Sequence, residues 1–169
     1  MRFDVSKPFI YFAADSDWAG CPFTRYSRCA YLVMMLGAPT SWCSRLAKRT
    51  ARSGCEAEYY SVAESVSEMI FTRDMLIDLG VQPPLPFTLF DDCLSVEALT
   101  RNEMRPSLAR HIEIDYQFAQ DEYAAGLFQF FFIPGTDNVA DVFTKFKGYT
   151  ADSYARFVDI ILRGRDQQS

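Results

Sequence analysis

Tyr11-Phe-Ala-Ala-Asp-Ser-Asp-Trp-Ala-Gly20 places an acidic residue directly after a short apolar run. The apolar, aromatic run Phe9–Ala14 is typical of a buried strand, and Asp15 follows it. Because carboxylates repel at close range, a fold that brings several together needs cations between them. Together with Asp15, three acids in short motifs of their own predict a two-metal phosphodiester hydrolase: Glu58 in Cys55-Glu-Ala-Glu-Tyr59, Asp92 in Leu89-Phe-Asp-Asp-Cys93, and Asp141 in Asn138-Val-Ala-Asp-Val-Phe-Thr-Lys145.

The rest of the chain alternates apolar runs with helical patterns. Because three strands come first, closely spaced, we expect an antiparallel meander within a mixed α/β sheet covered by helices. The predicted strands are Phe9–Ala14, Cys29–Leu36, Thr40–Cys43, Phe87–Phe90 and Leu127–Ile133. The predicted helices are a long one opened by Ser53 and stopped near Gly80, then Ser95–Thr100, Ile112–Ala124, Asn138–Lys145 and an amphipathic Ala151–Leu162.

Bulk composition limits the class of protein. With 169 residues, 49% of them hydrophobic, we expect one domain over residues 1–165 and a polar tail over residues 166–169. No apolar run is long enough to cross a membrane, and Met1–Lys7 does not resemble a signal peptide. Five cysteines without C-x-x-C spacing and a single histidine make a zinc site improbable, and they indicate reduced thiols in an intracellular protein.

The net charge of −5 argues against broad electrostatic binding of nucleic acid. A local basic cluster nevertheless precedes Glu58 and consists of Arg45, Lys48, Arg49 and Arg52. Such a cluster is either a solvated loop or a phosphate-binding surface, and the sequence alone leaves both interpretations open.

Two of the acidic motifs contain a choice between neighbouring acids. Ser53 and Glu56 fit a capping box, so we expect Glu56 to reach back to the backbone N–H of Ser53 and Glu58 to remain free for metal. Asp91 and Asp92 point to opposite sides of a strand, so only one of them can join Asp15.

The motifs together resemble the ribonuclease H domain of Ty1/copia-type retrotransposon polyproteins, which follows the reverse transcriptase. The resemblance covers about Phe9 to Leu162 and rests on Asp15-Ser-Asp-Trp-Ala-Gly20, Ser41-Trp42, Glu56-Ala-Glu-Tyr59, His111-Ile-Glu-Ile114 and Ala140-Asp-Val-Phe-Thr-Lys145. It implies a ribonuclease H-like fold with a five-stranded mixed sheet flanked by helices. It also implies metal-dependent endonucleolytic cleavage of the RNA strand of RNA–DNA hybrids during reverse transcription.

The same resemblance assigns the site. The metal-binding and catalytic acids would be Asp15, Glu58, Asp92 and Asp141, with Asp17 secondary. They would hold two Mg²⁺ ions, or alternatively Mn²⁺, about 3.5–4 Å apart. The implied partners are the hybrid and a reverse transcriptase domain of the same polyprotein, with no membrane. The implied location is intracellular, either a cytoplasmic virus-like particle or the nucleus.

Substrate contacts are implied for the basic cluster and for Ser95, Arg110 and His111. The family pattern Asp-Asn, followed after one residue by Ser, becomes Asp92-Cys-Leu-Ser95, so Cys93 replaces an amide that would help to contact substrate. Trp18 is interpreted as a core residue rather than a base-stacking surface.

The sequence leaves two alternatives open. A decayed or domesticated copy would keep the fold and act as a binding or structural module, as the Cys93 substitution and the missing basic bias suggest. A DNA nuclease or integrase-like enzyme would share the fold but usually shows three acids in another arrangement.

Overall fold

The computed structural model describes residues 10–102, 110–145, 154–155 and 158–159; within helix residues 110–113 it describes the backbone but not the side chains. The strands are β1 Ile10–Asp17, β2 Arg28–Met35, β3 Ala38–Leu46, β4 Phe87–Asp91 and β5 Phe128–Phe132. The helices are α1 Gly54–Asp78, α2 Leu94–Thr100, α3 Arg110–Ala124 and α4 Asp141–Thr144, with a 3₁₀ turn at Gly135–Asp137.

The five strands form one mixed sheet in the order β3-β2-β1-β4-β5. β1, β2 and β3 form the antiparallel meander that the spacing predicts, and β4 and β5 pair in parallel with β1 and with each other. The predicted fold class, a five-stranded mixed sheet flanked by helices, is therefore confirmed.

Helix α1 begins and ends where its sequence predicts. The Ser53 hydroxyl accepts a hydrogen bond from the Glu56 backbone N–H, as an N-cap residue does. At the other end Gly80 adopts φ +77°, a left-handed conformation in which a side chain would be strained, and its N–H bonds the Ile77 carbonyl. The helix packs its apolar face on β1 and β2, with Tyr59 and Met69 fully buried.

Parallel pairing places two of the acidic motifs side by side. Ala13 of β1 pairs with Phe90 of β4, so two residues further along, Asp15 and Asp92 stand level at the same end of the sheet. α1 begins at this edge, and α4 packs there against β1 and β2. The fold thus gathers segments that are far apart in sequence at the carboxyl ends of two central strands.

Several predicted boundaries differ from the structure. β1 continues to Asp17, so Asp15 lies inside a strand, paired with Ala30, rather than just beyond its end. β3 is nine residues long, about twice the predicted length. At the edge of the sheet every second residue can face solvent, so the polar residues of this segment do not end the strand. The predicted helix Asn138–Lys145 begins only at Asp141, since Ala140 is its N-cap residue.

Other predictions fall outside the described residues. Most of the predicted helix Ala151–Leu162, the boundary at residue 165 and the tail 166–169 belong to this group. Within the described part of the chain, no helix combines the length and apolar character needed to span a bilayer.

Candidate active site

Three carboxylates from three different elements converge at the end of the sheet. Asp15 of β1, Glu58 of α1 and Asp92 after β4 each offer an oxygen, and these oxygens all lie within 4.8 Å of one another. Asp15 is only 1% exposed, whereas Glu58 and Asp92 are half-buried. Three hard oxygen ligands at this spacing form a suitable set for a divalent cation.

Glu58, rather than Glu56, points into this cluster. Glu56 is buried and occupied, because its carboxylate accepts hydrogen bonds from the Arg52 backbone N–H at 2.8 Å and from the Tyr60 hydroxyl at 2.6 Å. The partner of the capping carboxylate is therefore Arg52, one residue before the expected Ser53. Oε2 of Glu58 is buried without a hydrogen bond of normal geometry, although the Ser16 hydroxyl lies near it.

Asp91 and Asp92 have different environments, as their alternation predicts. Asp91 is fully buried, and its Oδ1 accepts a 2.8 Å hydrogen bond from the Cys93 backbone N–H. Asp92 joins Asp15 and Glu58, and its carboxylate lies against the backbone of Gly135. A Cβ at position 135 would stand 2.5 Å from Oδ2 of Asp92, so glycine leaves the space that this carboxylate occupies.

Asp141 stands at the margin of the cluster rather than within the tight group of three. It heads α4, and its Oδ1 lies 2.5 Å from Nζ of Lys145. The same ammonium is 3.9 Å from Oδ1 of Asp15, and the Thr144 hydroxyl donates a hydrogen bond to Oδ2 of Asp15. α4 therefore brings one acid, one hydroxyl and one cation to Asp15.

Asn138 fastens this segment to the sheet. Its side-chain amide donates a 2.7 Å hydrogen bond to the Ala14 carbonyl, and its Oδ1 accepts one from the Ala140 N–H. Because Asn138 is buried, these bonds fix the entry of α4 beside β1. Asn138, the first residue of the predicted helix, thus serves as a tether.

Crowding of carboxylates away from water favours their protonated forms. Burial, then the charges of Glu58 and Asp141, raise the pKa of Asp15 to about 9. Burial, then Asp91 and Asp92, raise the pKa of Glu58 to about 9. Burial also raises the pKa of Asp92. A bound cation would reverse these shifts by stabilising the ionised forms.

Three residues of the basic cluster, Arg45, Lys48 and Arg49, line a cavity of about 140 Å³ between the end of β3 and α1. Arg45 forms an ion pair with Glu64, and Arg49 contacts Asp115 at 3.4 Å while lying 5.8 Å from the ring centre of Tyr60. Lys48 lines the same cavity, and Arg52 is exposed near the start of α1. A phosphate bound at this surface would compete with Glu64 for Arg45 and with Asp115 for Arg49, two of the four basic side chains.

The remaining predicted substrate residues are less informative. Ser95 is exposed in the first turn of α2, whereas Arg110 and His111 open α3 with side chains outside the described residues. The prediction that Trp18 lies in the core is wrong: its side chain is 53% exposed, and Nε1 donates to the Ala51 carbonyl at 3.1 Å. It lies in a surface turn beside the basic cluster.

Three residues that shape the cluster, Thr144, Lys145 and Gly135, have no role among the sequence-based predictions. Thr144 and Lys145 follow Asp141 by three and four residues in the same motif. On a helix this spacing places their side chains beside Asp141, and it is the sequence pattern that could have identified them. Gly135 follows a proline in an ordinary turn, and no local pattern indicates that Asp92 lies against it.

Comparison with known proteins places this site in a family context. The chain is 34% identical over 132 residues to the retrovirus-related Pol polyprotein from transposon RE1 of Arabidopsis thaliana, a match covering 78% of this chain and 9% of that protein. It is 31% identical over 143 residues to the corresponding polyprotein from transposon TNT 1-94 of Nicotiana tabacum, covering 85% of this chain and 11% of that protein. The chain therefore spans about a tenth of these relatives.

Solved structures with the same fold are ribonucleases H. LC11-RNase H1, isolated from compost, superposes with a TM-score of 0.62 at 16% identity, covering 80% of this chain and 91% of that chain. RNase H1 from Halobacterium salinarum NRC-1 superposes with a TM-score of 0.58 at 14% identity, covering 80% and 93%. No protein-family model matches the sequence. The chain is a homologue of one segment of the copia-type retrotransposon Pol polyproteins, and it has the ribonuclease H fold.

Proposed function

We propose that this protein is a divalent-metal-dependent endonuclease that cleaves the RNA strand of RNA–DNA hybrids. The convergence of Asp15, Glu58 and Asp92 within 4.8 Å, at the end of the sheet, carries the proposal. Three carboxylates crowded in this way destabilise the folded chain unless protons or cations neutralise them. Such an arrangement is expected where the binding of cations offsets this loss of stability.

The residues present fit a hard divalent cation such as Mg²⁺ or Mn²⁺. All the donors are carboxylate oxygens, and one buried oxygen of Glu58 lacks a normal hydrogen-bond partner. Asp15, Glu58 and Asp92 would hold the metal, and Asp141 would complete the set from α4. When bound, two such ions would activate an attacking water and stabilise the leaving 3′ oxygen.

Neighbouring side chains orient the acids for this role. The Thr144 hydroxyl fixes the rotamer of Asp15, and the ammonium of Lys145 lies between Asp15 and Asp141. Asp91 anchors the turn that follows β4 through the Cys93 N–H, which limits how far Asp92 can move. These contacts hold the carboxylates in place before an ion or substrate arrives.

The substrate proposal depends on the basic cluster and on the fold. Arg45, Lys48 and Arg49 line one cavity beside α1, and exposed Arg52 precedes that helix; there they would contact phosphates without reading sequence. Exposed Trp18 adjoins this surface through Ala51. One structural relative, LC11-RNase H1, has been solved in complex with an RNA/DNA hybrid, with a TM-score of 0.62. We extend the same class of ligand to this chain.

A panel of labelled duplexes tests the substrate assignment. The purified protein would be incubated in Mg²⁺ or Mn²⁺ with an RNA–DNA hybrid, an RNA duplex and a DNA duplex of one sequence. We expect cleavage of the RNA strand in the hybrid, because 2′-hydroxyl groups in its wide minor groove distinguish it from DNA. Preferential cleavage of the DNA duplex would instead favour an integrase-like or DNA nuclease function.

One observation supports a second candidate, a binding module without catalysis. Cys93 takes the place of the amide that the family resemblance predicts after Asp92. Titration calorimetry with Mn²⁺ separates the candidates. An enzyme binds Mn²⁺ at the carboxylates, so the signal disappears in Asp92→Asn, whereas a decayed module shows no such binding.

We further propose that the segment works beside the reverse transcriptase of a longer polyprotein.

A further inference from the structure

Two acidic side chains stand among the arginines of the basic cluster. Glu64 of α1 forms an ion pair with Arg45, and Oδ2 of Asp115 on α3 lies 3.4 Å from Nη2 of Arg49. All four side chains line the same cavity of about 140 Å³. The two acids therefore occupy the arginines that substrate phosphates would contact, and the proposed function gives these acids no role.

The acids reach the cavity from helices, whereas the arginines come from the end of the sheet and the segment after it. Tyr60 and Glu64 both line the cavity and are four residues apart, so they are neighbours on one face of α1. Arg45 belongs to β3, where its backbone is paired with Cys29 of β2. Because regular structure fixes both backbones, only side chains need to move for the pair of Arg45 and Glu64 to open.

The two ion pairs are exposed enough to exchange partners. All four side chains are between 31% and 44% exposed. Ion pairs in contact with water contribute little to stability, because solvent screens their charges. An arginine that binds a phosphate instead gains charge-assisted hydrogen bonds, frequently two at once. Exchange of a carboxylate for a phosphate is therefore favourable, but each arginine must first leave its acid.

We propose that Glu64 and Asp115 limit the affinity of the protein for nucleic acid, as an autoinhibitory contact within the basic cluster. This inference rests on the proposed function, because the competing ligand is the phosphate backbone of the RNA–DNA hybrid. Binding moves Arg45 from Glu64 to one phosphate and Arg49 from Asp115 to another. The displaced carboxylates stay nearby and repel phosphates, so tight binding is confined to ligands that reach both arginines.

Fluorescence anisotropy with a labelled RNA–DNA hybrid measures this effect. The full chain would be titrated in excess chelator, so that no cleavage occurs. We expect Glu64→Gln and Asp115→Asn each to tighten binding about two- to fivefold, the range that opening an exposed ion pair allows. Circular dichroism would establish that the variants keep the fold.

Asp74→Asn is the matched control. Asp74 also lies on α1, ten residues after Glu64, and its Oδ1 is 2.8 Å from Nε of Arg73. The substitution changes the net charge by the same amount and also opens an exposed ion pair, about 15 Å further along the helix. We expect it to change affinity little, because salt screens a charge at that distance.

A double substitution tests whether Glu64 acts through Arg45. Arg45→Gln alone should weaken binding and reduce the slope of log affinity against log salt concentration by about 1, as the loss of one phosphate contact predicts. In the Arg45→Gln background, Glu64→Gln should lose most of its effect, because the arginine that it releases is gone. A full effect of Glu64→Gln in that background would overturn the inference.

The remaining outcomes separate this inference from the proposed function. If Glu64→Gln and Asp115→Asn change affinity no more than Asp74→Asn does, or if none of these proteins binds the hybrid, the autoinhibitory contact is wrong, even where the natural chain cleaves RNA. If the affinities change as expected but the natural chain leaves the RNA strand intact in Mg²⁺ and in Mn²⁺, the contact stands and the proposed catalytic function fails.

Discussion

Lys145 and Asp141 form an ion pair one helical turn apart, with Nζ 2.5 Å from Oδ1. The same ammonium lies 3.9 Å from buried Asp15, and its charge partly offsets the raised pKa of that acid. Although burial lowers the pKa of Lys145, its hydrogen bond with Asp141 and the charges of Asp15 and Asp92 raise it overall. Lys145 therefore neutralises part of the acidic cluster when no metal ion does so.

Replacing Lys145 tests this neutralising role. We expect Lys145→Met to lower the free energy of unfolding of the metal-free protein at pH 8 by about 0.5–1 kcal/mol, since the pair is partly exposed. Saturating Mn²⁺ should remove most of that difference. Thermal denaturation with and without Mn²⁺ measures both effects. Lys145→Arg keeps the charge and serves as the control; equal losses in the two variants would show that charge is not the cause.

The stability of the metal-free protein should fall as pH rises. In the folded chain the pKa values of Asp15 and Glu58 are about 9, against ordinary values of 3.8 and 4.5. The folded state therefore holds more protons than the unfolded state between those limits, and stability declines as pH rises through this window. Chemical denaturation at a series of pH values from 5 to 9 measures the slope.

Asp15→Asn should flatten this pH dependence. The amide carries no charge, so we expect the metal-free variant to be more stable than the natural chain at pH 8, by about 1–3 kcal/mol. Divalent cations should stabilise the natural chain more at pH 8 than at pH 5, because they bind the ionised carboxylates. A natural chain whose stability increases steadily across the window would contradict the raised pKa values.

Glu56 and Glu58, two residues apart on α1, should have opposite mutational profiles. Glu56→Gln weakens the hydrogen bonds to the Arg52 N–H and the Tyr60 hydroxyl, so we expect a loss of about 1–3 kcal/mol in unfolding free energy. Its Mn²⁺ affinity should change little. Glu58→Gln should instead lose Mn²⁺ binding without destabilising the metal-free chain. Denaturation and calorimetry on both variants measure the contrast, and the reverse pattern would exchange their roles.

Gly135 should matter for the metal site more than for the fold. In Gly135→Ala the new methyl group meets Oδ2 of Asp92, the end of a movable side chain, so the carboxylate should rotate away at little cost in stability. We expect Mn²⁺ affinity to fall about tenfold. Gly54→Ala is the matched control, because a Cβ there has no neighbour within 4 Å. Unchanged affinity in Gly135→Ala would mean that Asp92 does not need its present position.

The sequence predicted what depends on local patterns. The apolar runs and the Ser53 cap defined the strands and the start of α1, because burial and capping are read from neighbouring residues. Capping also explains why Glu56 turns away and Glu58 faces the acids. The role of these acids in binding metal stays a prediction.

Contacts between distant segments were harder to predict. Asn138 resembles an N-cap residue, yet its amide bonds Ala14, 124 residues earlier, and the helix begins later than expected. Trp18 has a large aromatic side chain of the kind that usually packs in a core, but its place in a surface turn leaves it half-exposed. Tertiary packing decides both cases, and a single sequence does not show which distant backbone a polar side chain meets.

The most direct test of the central claim is cleavage of a hybrid labelled on its RNA strand, by the natural chain and by Asp15→Asn. Circular dichroism would first establish that both proteins have the same fold. We predict that the natural chain cuts the RNA strand only when Mg²⁺ or Mn²⁺ is present, and that Asp15→Asn shows no more cleavage than a protein-free control. Cleavage by Asp15→Asn at the natural rate, or cleavage by the natural chain in excess chelator, would contradict the claim.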